Sequence, residues 1–112
     1  MSRKYNKLVR DKIPGIIHDQ GKGVCFRTLS DAEFLEYLEK KLDEEVAEFH
    51  KDKSLEELAD IVEVLYALAK AHGHTVFDLR RMRRKKLNEK GGFAKRICLI
   101  AVKDSEVTNE RE

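Results

Sequence analysis

Apolar residues recur along this chain mostly at helical spacing. Phe34, Leu35, Leu38, Leu42, Val46 and Phe49 follow the three- and four-residue steps of an amphipathic helix. Ser30-Asp31-Ala32-Glu33 precedes them as a capping box, with Ser30 as the N-cap and Glu33 reaching back. The pattern predicts a helix from Asp31 to about His50, then a polar break at Lys51-Asp52-Lys53. A second box, Ser54-Leu55-Glu56-Glu57, opens a helix to about His72. Gly73 stops it, because glycine tolerates the positive φ of a helix end. Thr75-Val76-Phe77-Asp78 opens a third helix, which is basic and ends at Gly91-Gly92. Arg10 to Ile17 reads as a short helix with Pro14 in its first turn. Residues 24–29 and 96–102 are β-prone and could pair as a two-stranded ribbon. The expected fold is all-α: an antiparallel helical hairpin within a small bundle. Residues 1–103 read as one helical domain and 104–112 as a frayed acidic tail.

Composition narrows the function classes. The longest apolar runs, Val64 to Ala69 and Ile97 to Val102, fall far short of the roughly 20 residues of a membrane span. The opening MSRKYNKLVRDKIP has no apolar stretch of a secretory signal. A cytoplasmic protein with reduced thiols at Cys25 and Cys98 is therefore expected, both acting as small apolar groups in the ribbon. The formal net charge of +2 hides a segregation: residues 1–30 carry +5, 31–63 carry −9, 64–103 carry +9 and 104–112 carry −3. An acidic middle between basic flanks suits a site that takes cations on one side and anions on the other.

The acidic middle has a register. On the helical wheel Glu45 falls inside the apolar arc of the first long helix, Glu48 on its edge and Glu44 further towards solvent. A carboxylate in an apolar arc is costly unless something compensates it. The short break makes the two helices antiparallel neighbours, so residues equally far from the turn stand at one height. Glu48 then faces Glu57, and Glu45 faces Asp60 one turn deeper. Four converging carboxylates repel, and a divalent cation resolves the repulsion. An all-oxygen set suits Mg²⁺ or Mn²⁺ rather than Zn²⁺. A di-iron bundle needs Glu-x-x-His on two helices, whereas Ala47 precedes His50 and Ala69 precedes His72 at that spacing.

EEVAE (Glu44 to Glu48) followed by EELAD (Glu56 to Asp60) resembles the EExxE…ExxD signature of the MazG-like, all-α nucleoside triphosphate pyrophosphohydrolases. YNKLVRDKIP, SLEELADIVEVLYALAKAHG and KKLNEKGGFAKRI are similar to the phosphoribosyl-ATP pyrophosphohydrolase-like branch, and the likeness covers most of residues 5–100. Gly15 departs from it, standing where an acidic residue is expected. The resemblance implies metal binding by Glu45, Glu48, Glu57 and Asp60, and hydrolysis between the α and β phosphates to give monophosphate and pyrophosphate. House-cleaning of noncanonical nucleotides and hydrolysis of phosphoribosyl-ATP are the roles it suggests.

Charge then assigns the remaining parts. Lys7, Arg10 and Lys12 in the opening segment, and Lys86, Lys95 and Arg96 around the Gly91-Gly92 turn, are candidates to neutralise the phosphates. Glu48 or Glu44 is a candidate general base. The second hairpin helix is apolar nearly all round, which predicts a homodimer or larger assembly with Leu58, Ile61, Leu65 or Leu68 in the contact. Two other classes compete. Arg80 to Lys86 could form a nucleic-acid-binding helix, although the chain offers no aromatic stacking platform and its acidic hairpin repels phosphate. A pure interaction module would leave all four carboxylates dispensable.

Overall fold

The computed structural model describes residues 3–104. Four helices follow in order: α1 (Ile13–Asp19), α2 (Asp31–Asp52), α3 (Leu55–Ala71) and α4 (Val76–Lys90). The chain divides into two units, one running to Arg80 and the other beginning at Arg81. No helix among the described residues is long and apolar enough to cross a membrane.

In the first unit the caps set the helix starts. Pro14 sits in the first turn of α1, where a missing N–H costs nothing. At α2 the Glu33 N–H donates to Ser30 Oγ, and the Ser30 N–H donates to the Glu33 carboxylate, each at 3.3 Å. Arg27 adds two bonds to Glu33 at 3.2 and 2.9 Å. These bonds, with those from Ser30, hold the Glu33 carboxyl down at about 2. At α3 Ser54 Oγ accepts from the Glu57 N–H at 3.2 Å. At α4 the box is reciprocal, with Thr75 and Asp78 each donating a backbone N–H to the other's side chain at 2.9 Å.

α2 runs two residues beyond the end that the sequence predicts. Its cap is Lys53 at φ 53, in the left-handed region, with the Lys53 N–H donating to the Phe49 carbonyl at 2.7 Å. Only Lys53 and Ser54 separate α2 from α3, so the two pack as an antiparallel hairpin. The hairpin interior is thin: Leu38 (2% exposed) and Val64 (8%) are its buried apolar residues, and Glu45 (8%) is buried among them. Gly73, at φ 86, ends the connection after α3.

In the second unit every residue from Arg81 to Lys90 is exposed. Gly91, at φ 83, closes α4, with its N–H donating to the Leu87 carbonyl at 2.8 Å. A turn follows in which the Arg96 N–H donates to the Phe93 carbonyl.

The expected ribbon does not form. Residues 24–29 and 96–102 contain no strand, and no strand occurs among the described residues. Strand propensity measures fit to a pleated, half-buried surface, and these segments have none. Phe26, Ile97, Leu99 and Val102 are all more than two-thirds exposed. A two-stranded ribbon without a packing face is marginal in water. Cys25 and Cys98, expected to be buried in it, are exposed free thiols. Apart from Asp104, the tail expected to fray lies outside the described residues.

Candidate metal centre

The hairpin brings carboxylates together by height. Glu45 from α2 meets Glu57 and Asp60 from α3, each offering one oxygen, with all three oxygens within 4.8 Å of one another. Glu48, Asp52 and Glu57 form a second group that satisfies the same limit. Glu57 belongs to both. It lies one turn nearer the connection than Asp60, and its height matches that of Glu48 across the hairpin. Its backbone N–H is taken by Ser54, while its carboxylate sits with the other acids.

Each member is placed by local structure. Glu45 lies on the buried side of α2, seven residues after buried Leu38 and on the same helical face, and is itself buried. Lys41, one turn earlier, compensates it at 3.2 Å, and the Lys41 side chain is itself only 16% exposed. Lys41 also reaches Glu44 at 3.4 Å. Asp60 and Glu57 are half-buried, while Glu48 and Asp52 are exposed.

The opening segment crosses this acidic surface with its cations down. Arg10 Nη2 donates to Asp60 Oδ1 at 2.6 Å, and Lys7 Nζ donates to Glu44 Oε1 at 2.9 Å. Tyr5 lies beside Lys7, with the ammonium 5.7 Å from the ring centre. Partial burial opposes ionisation of Glu44, but the Lys7 hydrogen bond and the charges of Lys41 and Lys7 outweigh it, leaving its pKa below the usual carboxylate value. The Lys7 pKa rises, chiefly through its bond to Glu44.

Glu57 goes the other way. Loss of hydration lifts its pKa first, and the like charges of Asp60, Glu45, Glu48 and Asp52 lift it further. Among the described residues Glu57 carries no ion pair with a cation. Two cations thus serve the Glu45, Glu57 and Asp60 trio, and Glu57 bears the excess negative charge.

The donor set fits a hard divalent cation. Oxygens around Mg²⁺ lie at about 2.0–2.1 Å from the ion, hence about 3–4.2 Å from one another. Oxygens already within 4.8 Å need only small side-chain rotations to reach that spacing. No nitrogen or sulfur ligand stands in either group, which disfavours zinc.

Other candidates sit apart from the carboxylates or in another unit. Lys12 is the exposed residue just before α1 and makes no capping bond through its side chain. Lys86, Lys95 and Arg96 are exposed residues of the second unit. Asp52 is a member that sequence reading missed. Its signal was present, four residues after Glu48 and so on the same helical face, but it was counted as part of the polar break.

No family model matches the chain. An uncharacterized protein of Mycolicibacterium smegmatis is similar, at 48% identity over 54 residues. The aligned stretch covers 45% of this chain and 55% of the relative, so the chain spans about half the length of the relative it matches. No solved structure matches it.

Proposed function

We propose that the protein is a Mg²⁺-dependent nucleoside triphosphate pyrophosphohydrolase that cleaves between the α and β phosphates, releasing monophosphate and pyrophosphate. The observation that carries this reading is the meeting of Glu45, Glu57 and Asp60 across a two-helix hairpin. The resemblance of EEVAE…EELAD and the flanking motifs to the MazG-like enzymes supplies the reaction class.

Glu45, Glu57 and Asp60 hold the cation, and Glu48 with Asp52 extends the oxygen set through Glu57. A Mg²⁺ ion held there would polarise phosphoryl oxygens and make a bound water more acidic. The protein's own groups do the remaining work. The buried Glu45 is held by Lys41 through Oε1, which limits its side-chain freedom. Glu48, exposed at the rim, is placed to accept a proton from the attacking water. Lys7 and Arg10 stand beside the carboxylates and can meet the charge that develops on the leaving pyrophosphate.

The test is pyrophosphate release from a panel of canonical and modified nucleoside triphosphates and phosphoribosyl-ATP, with Mg²⁺ or with EDTA. Equal amounts of pyrophosphate and monophosphate are expected with Mg²⁺ and none with EDTA. Asp60→Asn should lower turnover by at least about 100-fold, since even loss of a group behind a metal ligand costs about 10–100-fold. Full activity in Asp60→Asn overturns the metal assignment. Absence of turnover across the panel, in folded protein, overturns the enzyme reading. The fully exposed basic stretch of α4 then favours a nucleic-acid-binding role, tested by titration across salt.

A further inference from the structure

Two groups that the proposed reaction needs are engaged with each other. Arg10, a phosphate candidate, is bound to Asp60, a metal candidate, at 2.6 Å. Lys7 and Glu44 repeat the arrangement one pair away at 2.9 Å. Arg10 holds Oδ1 of Asp60 and leaves Oδ2 open, but its charge competes with that of any cation on the same carboxylate, and a guanidinium on a carboxylate is not free to bind phosphate. The phosphate job cannot be filled while this contact stands.

The cations around the carboxylates differ in how they are anchored. Lys41 sits on α2, is 16% exposed and pairs with Glu44 and Glu45 along its own helix. It is a fixed counter-charge. Arg10 comes from the segment before α1, which lacks helix and strand, and its side chain is 54% exposed. It can leave Asp60 by side-chain rotation, without opening the hairpin core of Leu38 and Val64.

We propose that Arg10 is an exchange cation: it competes with the divalent metal for Asp60 and, once displaced, binds the phosphate oxygens of the substrate. This rests on the metal reading given above and adds a coupling to it. A free divalent ion is opposed by the Arg10 charge on Asp60, and in displacing it leaves the guanidinium without a partner. A metal arriving with a polyphosphate breaks the same pair and supplies Arg10 with a new anion. The metal–polyphosphate complex is therefore the preferred ligand over the metal alone, and each partner raises the other's affinity by the same factor.

Mn²⁺ binding, followed by the electron paramagnetic resonance signal of the free ion, tests the exchange without turnover. Inorganic pyrophosphate, which needs no choice of base, is titrated into the Mn²⁺-loaded protein. Arg10→Gln should bind Mn²⁺ about 2–5-fold more tightly than the parent, the ratio that loss of a half-exposed ion pair corresponds to. The same variant should bind pyrophosphate several-fold more weakly, with Arg10→Lys intermediate in both. A residue that merely holds the fold would weaken both together, and a bystander charge would leave pyrophosphate unmoved. Circular dichroism checks that the helices persist. Mn²⁺ binding to neither protein overturns the metal reading itself. Binding to both, with Arg10→Gln no tighter for Mn²⁺ or no weaker for pyrophosphate, overturns the exchange and leaves the metal reading standing.

Discussion

Glu57 is the residue at which the charges fail to balance. Its pKa is raised by lost hydration and by four neighbouring carboxylates, so folding disfavours its ionised form. The sign follows directly. Well below the ordinary carboxylate range Glu57 is protonated in both states and costs nothing. As pH rises through the unfolded and then the folded pKa, the charge appears and destabilises the fold, and the whole penalty is present at neutral pH. Glu57→Gln should therefore raise the melting temperature of the metal-free protein at pH 7, with the gain shrinking as pH falls through the carboxylate range and vanishing below it. With saturating Mg²⁺ the order should reverse, because the parent gains more from the cation. Thermal unfolding with EDTA and with Mg²⁺ reads both signs, and an unchanged melting temperature in both would remove Glu57 from the site. Glu45 was legible from the wheel, since a lone carboxylate in an apolar arc has few compensations open to it. The Arg10–Asp60 contact was not, because an exposed arginine fifty residues away in sequence leaves no periodic trace.

Among the helices, the starts of α2, α3 and α4 were legible and the α2 end was not; α1 begins at Ile13 and ends at Asp19, against the Arg10 to Ile17 read from the sequence. Serine and threonine caps are local chemistry, and Ser30, Ser54 and Thr75 each accept the bond their motif predicts. At its end α2 continues through the exposed Lys51 and Asp52 to the short connection with α3, and a lysine accepts the left-handed cap. That conformation costs an L-residue roughly 1–2 kcal/mol, because Cβ crowds the next carbonyl oxygen. Lys53→Gly should recover up to about 1 kcal/mol of stability, with some of the gain given back as unfolded-chain entropy. Urea unfolding at constant slope measures it, and a loss of stability would mean that the Lys53 side chain, 5.5 Å over the Phe49 ring, contributes more than the strain. The ribbon failed as an expectation for another reason. Strand propensity at residues 24–29 and 96–102 is local, while strand formation needs a face to pack on.

The described residues leave much apolar surface open. A protein of 112 residues should bury roughly 65% of its unfolded surface, yet among the described residues the buried apolar side chains are Leu38 and Val64. On α3 the open residues are ordered: Leu55 (81% exposed), Leu58 (43%), Val62 (42%) and Leu65 (38%) follow three- and four-residue steps on one face. That is the spacing of a helix–helix seam, and all four side chains are exposed. Ile61 and Leu68, also expected in a contact, are half-buried instead, so the seam is turned relative to the set read from the sequence. A second copy of the chain would present the same seam and could close it by two-fold symmetry. We therefore expect a dimer at micromolar concentration by sedimentation equilibrium. Leu58→Glu with Leu65→Glu should shift it to monomer, because each places a charge in the buried seam while leaving Glu45, Glu57 and Asp60 in place. A parent protein that sediments as a monomer would mean that the α3 seam is covered by something other than a second copy. A double variant that stays dimeric would move the contact to another face.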